Sequence, residues 1–393
     1  MRPIYFMQST SKGHALEVAN RSDCGVVLTN QSYNSKSELR SKILELLSLG
    51  TDVIYEPLAF LLTFAACSLK KTNQSLFGTT AYEMNRIAGN RPSLEFIERW
   101  IDFQVSLGLV NILLPYRVMY SLGQLRQELQ LIEESYELLS RRHPEHKAIP
   151  ILCFSESLLV GYDSAQRFAD LLIPNLPGND LLLLPLHSRS YVRTKANPKY
   201  LAGLAVLLKL CQLQKINVLS LNTGIHALLL SAYTGQTQCA APADMRFSNI
   251  CEQRWKLRPS RKRDETKEFH PSSLKRVFLP DLLALIKPVK YLQLRTLGMG
   301  AMLGKTSFLF DEPNEYAPFY EALEMLFACR VLSGIGLSAF ESILEDAIKK
   351  VNELHSLGMP TGDLVTDHHE DWMTTVSIIR QMQVGEDLLA STW

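Results

Sequence analysis

Ile216–Arg246 reads INVLSLNTGIHALLLSAYTGQTQCAAPADMR. A short β-branched run, Ile216–Leu221, leads through the polar turn Asn222-Thr223-Gly224 into an apolar helix. A Gly-led second run, Gln236–Ala241, then empties into a basic loop. That is one strand–helix–strand unit, and similar units recur along most of the chain. Upstream, strands are expected over Cys24–Asn30, Thr51–Pro57, Leu109–Tyr116, Ala148–Ser155 and Asp180–Leu186, and downstream over Val289–Leu294. Asp180–Leu186 (DLLLLPL) shows no alternation, as expected of a strand covered on both faces. Helical periodicity fills the intervals. Leu39, Ile43, Leu46 and Leu47 share a face of Ser37–Leu49, with Gly50 placed to end it. Pro92–Leu107, about Leu122 to Arg142, Ser164–Leu172 and Asn197–Gln214 complete the set.

Alternation at this spacing predicts parallel pairing through right-handed crossovers. The fold class is therefore α/β. A closed (β/α)8 barrel fits the strand count and length better than an open doubly wound sheet. The barrel is expected over residues 1–314, with a polar connection at about 70–91 and a charged insertion at 254–276. Residues 315–393 are expected as a C-terminal helical extension packed on the barrel.

Bulk composition excludes more than it selects. The chain has 393 residues, 46% hydrophobic and 21% charged, enough for a sizeable core without disulfides or metals. A net charge of +1 supplies no global field to recruit nucleic acid or anionic lipid, so any such attraction is local. Seven cysteines without a CxxC pair point to a reducing compartment rather than a disulfide framework. The greasiest run, Pro57–Leu69, falls short of the roughly 20 residues that span a bilayer. A cytoplasmic protein without membrane contact is expected, and nothing in the sequence calls for a cofactor or a metal.

In a barrel, chemistry gathers at the carboxyl ends of the strands. Glu56 and Glu156 are the carboxylates placed at strand exits, where burial and neighbours suit one to general acid–base work. The bland alternative is a structural ion pair with Arg117 or Arg189. Asn30, Arg117, His187, Arg189, Arg193, Asn222 and Arg246 are the candidate substrate-binding groups around the same mouth, and Asp244 is a third candidate catalytic carboxylate. His187, Arg189 and Arg193 concentrate positive charge that suits a phosphate, a carboxylate or a nucleic-acid backbone. Within 254–276, Arg254, Lys256, Arg258, Arg261, Lys262 and Arg263 surround Trp255 and are candidate nucleic-acid contacts, against the reading of a solvated loop. Two motifs fail. Gly298–Thr306 (GMGAMLGKT) lacks the phosphate-loop spacing, and the adjacent side chains of Asp367–Asp371 (DHHED) do not converge on one ion.

The block from Ile216 to Arg246 resembles the late-barrel segment of tRNA-guanine transglycosylases and their DNA-modifying deazaguanine paralogues. In that family a short helix and a Gly lead into a strand whose end carries a nucleophilic aspartate, with an Arg soon after. Gly235 and Arg246 match without a gap, and the nucleophile's position is taken by Ala240. The resemblance covers about a third of the chain and does not extend to the family's cysteine-rich zinc site. It implies a barrel that binds or acts on a base in DNA or RNA. The alternatives are a metabolic barrel enzyme taking a phosphate- or carboxylate-bearing small molecule, and a non-catalytic scaffold binding partner proteins, which Ala240 favours.

Overall fold

The computed structural model describes residues 4–7, 15–16, 19, 25–29, 35–57, 92–186, 197–221, 223, 226–235, 239–242, 329, 332–342, 344–345 and 371–382. These form a mixed α/β fold on parallel sheets. The strands are β1 (Ile4–Met7), β2 (Gly25–Thr29), β3 (Val53–Glu56), β4 (Asn111–Leu113), β5 (Val118–Met119), β6 (Lys147–Ile149), β7 (Ile151–Ser155), β8 (Asp180–Leu186), β9 (Asn217–Ser220) and β10 (Cys239–Pro242). Eight of them make one sheet in the order β3-β2-β1-β10-β9-β8-β7-β5, and β4 pairs with β6. Every recorded pairing is parallel.

The helices alternate with these strands: α1 (Lys36–Ser48), α2 (Leu94–Ser106), α3 (Leu122–Arg142), α4 (Tyr162–Leu172), α5 (Pro198–Leu213) and α6 (Ala227–Thr234). Their starts follow from local chemistry. Ser35, Ser93 and Asn197 accept backbone N–H groups at the openings of α1, α2 and α5, and Ser121 with Gln124 forms a reciprocal capping box on α3. Gly50, with φ at +71°, turns the chain at the end of α1 as its sequence position predicts. All of β8 is buried, so its unbroken apolar run is the signature of a strand covered on both faces.

Three expectations are corrected in detail. Residues 4–7 were not expected to form a strand, yet β1 lies between β2 and β10. The neighbour of β10 on that side is thus the amino-terminal strand, and Val289–Leu294, expected to close the series, falls outside the described residues. The strand expected over Leu109–Tyr116 is realised only as β4, and β5 follows beyond its expected end. Gln104 holds both the N–H (3.0 Å) and the C=O (2.8 Å) of Leu113, and Trp100 Nε1 donates to the same carbonyl at 2.6 Å. Pro115 then has no N–H to offer a ladder. Ala148–Ser155 divides at Pro150, whose carbonyl accepts from Leu182 N.

The 70–91 connection and the 254–276 insertion lie outside the described residues. Of the C-terminal region, a helix over 371–382 packs Trp372 at 1% exposure, and Trp372 Nε1 donates to His226 Nδ1 at 2.9 Å. Among the described residues, no helix is long and apolar enough to cross a membrane.

Candidate functional site

Because the strands run in one direction, their carboxyl ends share one side of the sheet. Thr29 and Glu56 are register partners at the ends of β2 and β3, and both are buried. Tyr116, from the segment between β4 and β5, donates its hydroxyl to Glu56 Oε1 at 2.5 Å. This places a fully buried carboxyl group against a phenol at a strand exit, where the sequence places the candidate acid–base residue. The charge of Glu56 also reaches β7. Burial first, and then Glu56 and Glu128, raise the Cys153 thiol well above its ordinary pKa, so Cys153 is an inert packing group. Burial and the same Glu56 charge likewise push the Tyr55 phenol up.

Arg117 is committed to Glu128 of α3. Its Nε and one terminal nitrogen each lie 2.6 Å from Oε1, and its backbone N–H donates to Oε2 at 2.9 Å. The expected choice of Arg117 partner lay between Glu56 and Glu156, and Glu128 was missed. Its signal was available in the helix, where Leu125, Glu128, Leu129 and Ile132 occupy one buried stripe, making Glu128 a charge among core positions. Burial raises the Glu128 carboxyl above the ordinary value, with Arg117 opposing that shift.

Glu156 opens a one-turn 3-10 segment directly after β7, as its expected position at a strand exit requires. Its charge reaches Tyr200 of α5, whose phenol is raised first by burial and then by Glu156. This corner is shaped by Gly203. A Cβ there would lie 1.9 Å from the Leu159 carbonyl oxygen, so only glycine lets α5 meet the backbone after β7 this closely. At the exit of β9, Ser220 Oγ and Thr223 Oγ1 are buried without a hydrogen-bond partner among the described residues. His226 follows them at the start of α6. Accepting from Trp372 through Nδ1 puts the hydrogen of a neutral ring on Nε2.

The structure thus places Glu56 and Glu156 at the carboxyl ends of β3 and β7, and Arg117, directly before β5, on Glu128, which the sequence reading did not single out. Asn30, His187, Arg189, Arg193, Asn222, Asp244 and Arg246 lie outside the described residues. So do Arg254, Lys256, Arg258, Arg261, Lys262 and Arg263. Ala240, at the position matched to the family nucleophile, sits within β10 opposite Tyr5 of β1. A groove of about 580 Å³ between α3 and the end of α4 lies in the outer helical layer, lined by Arg126, Glu133 and Pro174 among others. No protein-family model matches the chain, and no curated protein or solved structure matches it either.

Proposed function

We propose that the chain is a closed (β/α)8 barrel that binds a base of nucleic acid at the carboxyl ends of its strands and acts on it by transglycosylase-like base exchange. Support for closure comes from the middle of the sheet and from its margin at β3. The amino-terminal strand β1 hydrogen-bonds to the late strand β10. The margin strand β3 is tied to the β4–β5 region by Asn111 Nδ2 donating to Asp52 Oδ1 at 2.6 Å and by Tyr116 on Glu56. With β4 paired to β6, chain order then becomes ring order.

The observation that carries the chemical reading is Glu56 buried at a strand exit with a phenol donating to it. A carboxyl group in that setting is equipped to take a proton from a bound base or return one to it. The buried hydroxyls of Ser220 and Thr223 offer further polar contacts, since a ligand that pairs them removes a desolvation cost of about 1–3 kcal/mol each. Ala240 offers no carboxylate, so a covalent sugar intermediate would have to draw on Asp244, two positions beyond β10 in sequence. The basic run from Arg254 to Arg263 would hold the backbone.

The test measures incorporation of labelled guanine or 7-deazaguanine into DNA and into RNA, beside nucleic-acid retention across a salt series. Glu56→Gln keeps an oxygen for Tyr116 and is expected to lower incorporation about 100-fold or more while retention stands. Changing Arg261, Lys262 and Arg263 to Glu is expected to weaken retention and flatten its salt slope. Retention that ignores the triple variant, or incorporation that ignores Glu56→Gln, overturns the reading.

A further inference from the structure

At the opposite ends of the strands, the turn from α3 into β6 reads His143-Pro144-Glu145-His146. We infer that His143, Glu145 and His146 form a binding site for a divalent transition metal of the zinc type, independent of the chemistry proposed for the carboxyl ends. The turn is closed by His146 N–H donating to the His143 carbonyl at 3.0 Å, with Pro144 fixing its second position. One ligand atom from each of the three side chains lies within 4.8 Å of the others.

Convergence alone is common on surfaces, and the hydrogen bonds behind these rings say more. His146 Nδ1 lies 2.8 Å from the Leu109 carbonyl, which only accepts, so this nitrogen carries the hydrogen. In a neutral ring the Nε2 lone pair is then left 3.1 Å from Glu145 Oε1. Two acceptors that close need a cation between or beside them. The separation also suits a shared metal, because bonds of about 2.0–2.1 Å to nitrogen and oxygen in tetrahedral geometry place ligand atoms about 3.3 Å apart. His143 is held from behind in the same manner. Its Nε2 lies 3.0 Å from Asp102 Oδ1, leaving Nδ1 for a metal. A ring nitrogen tied to a carbonyl or carboxylate is how proteins orient imidazole ligands and raise their basicity. Asp102 is itself fixed by Arg142 at 3.1 Å.

Imidazole with carboxylate selects zinc-like ions over magnesium or calcium. A metal here would join the end of α3 to α2 through Asp102 and to the start of β4 through Leu109, so its role is to clamp the amino ends of the strands. The competing account is a proton on His146, giving a plain ion pair with Glu145.

The full chain, freed of any histidine tag and dialysed against chelator, is titrated with Co²⁺ and then with Zn²⁺. Visible cobalt bands that zinc bleaches are expected, together with a rise in Tm of about 4 °C at a hundredfold excess over Kd. His143→Ala with His146→Ala is expected to abolish the bands and the rise. Glu145→Gln, at an exposed position, keeps the test sound if the double variant folds poorly, and is expected to weaken zinc at least 10-fold. Asp102→Asn is expected to weaken zinc 10- to 100-fold without removing a ligand. No uptake by the parent chain, or uptake unchanged in Glu145→Gln and the double variant, overturns the site.

Discussion

At the amino ends of the strands, carboxylates meet donors from the adjoining strand. Asp180 of β8 accepts from Lys147 of β6 and from Asn217 of β9, and Asp52 accepts from Asn111 of β4. At the carboxyl ends, Glu56 meets a phenol, Glu128 stands among core positions against Arg117, and two hydroxyls are buried at the exit of β9. Pairs of the first kind stitch neighbouring elements and leave little for a ligand. Groups of the second kind are held at a desolvation cost that packing alone does not explain. Under the proposed function the contrast separates a stabilising end from a chemical one, and it can be broken by substitution.

The largest effect is expected from Gly203→Ala. Alanine is the better helix former by about 1 kcal/mol, which is the gain if the site were an ordinary helix position. Here the added methyl meets a backbone oxygen at 1.9 Å, which has no rotamer to escape into. Net destabilisation of about 4 kcal/mol or more follows, as a lowered midpoint in denaturant or a chain that fails to fold. A stabilised variant would show that α5 stands off from the Glu156 corner, and the carboxyl-end geometry would need redrawing.

Next comes Glu128→Ala, which leaves the Arg117 guanidinium buried without its carboxylate. Side-chain exposures of 13% and 4% make this a desolvated pair, so removal of one partner costs about 3 kcal/mol. Lys147→Ala, at the amino end, removes a half-exposed partner and should cost less than about 1 kcal/mol. Equal losses in the two variants by chemical denaturation would erase the difference between the two ends.

How much of this was legible depended on what each element rests on. Asp180–Leu186 and Leu122–Arg142 have the limits that hydrophobic run and capping chemistry dictate, because those signals are local. Ile4–Met7 carries four residues of signal, and its place is fixed by pairing with β10, more than 230 residues away in sequence. No local pattern contains that. The end of β4 at Leu113, short of the expected Tyr116, goes with Gln104 reaching from α2, again a tertiary fact. Glu56 stands out in the sequence as a carboxylate at the end of a β-branched run, and the structure buries it there. Tyr116 was legible as a strand-end residue, whereas its bond to Glu56 spans 60 positions. The His143–His146 turn went unread because its partners, Asp102 and Leu109, converge only in the fold.

The smallest predicted effect is a difference in pH dependence between the two ends. Burial pushes the Asp180 carboxyl up, but hydrogen bonds from Lys147 and Asn217 outweigh it and hold the carboxyl below its ordinary value. A depressed folded-state pKa means stability that is present above the unfolded value of about 3.9 and lost as pH falls through the folded one. Glu128 has the opposite sign. Burial raises it despite Arg117, so its contribution is present below its unfolded value of about 4.3 and lost as pH rises through the raised one. Acidification therefore loosens the amino end while relieving the carboxyl end. Asp180→Asn should flatten the loss of stability below about pH 4, and Glu128→Gln should remove a decline that sets in above about pH 4. Denaturant midpoints measured across pH 3 to 7 would read both slopes. Slopes of the same sign at the two positions would mean that Lys147 and Arg117 govern their partners alike, and the division of labour along the strands would fall.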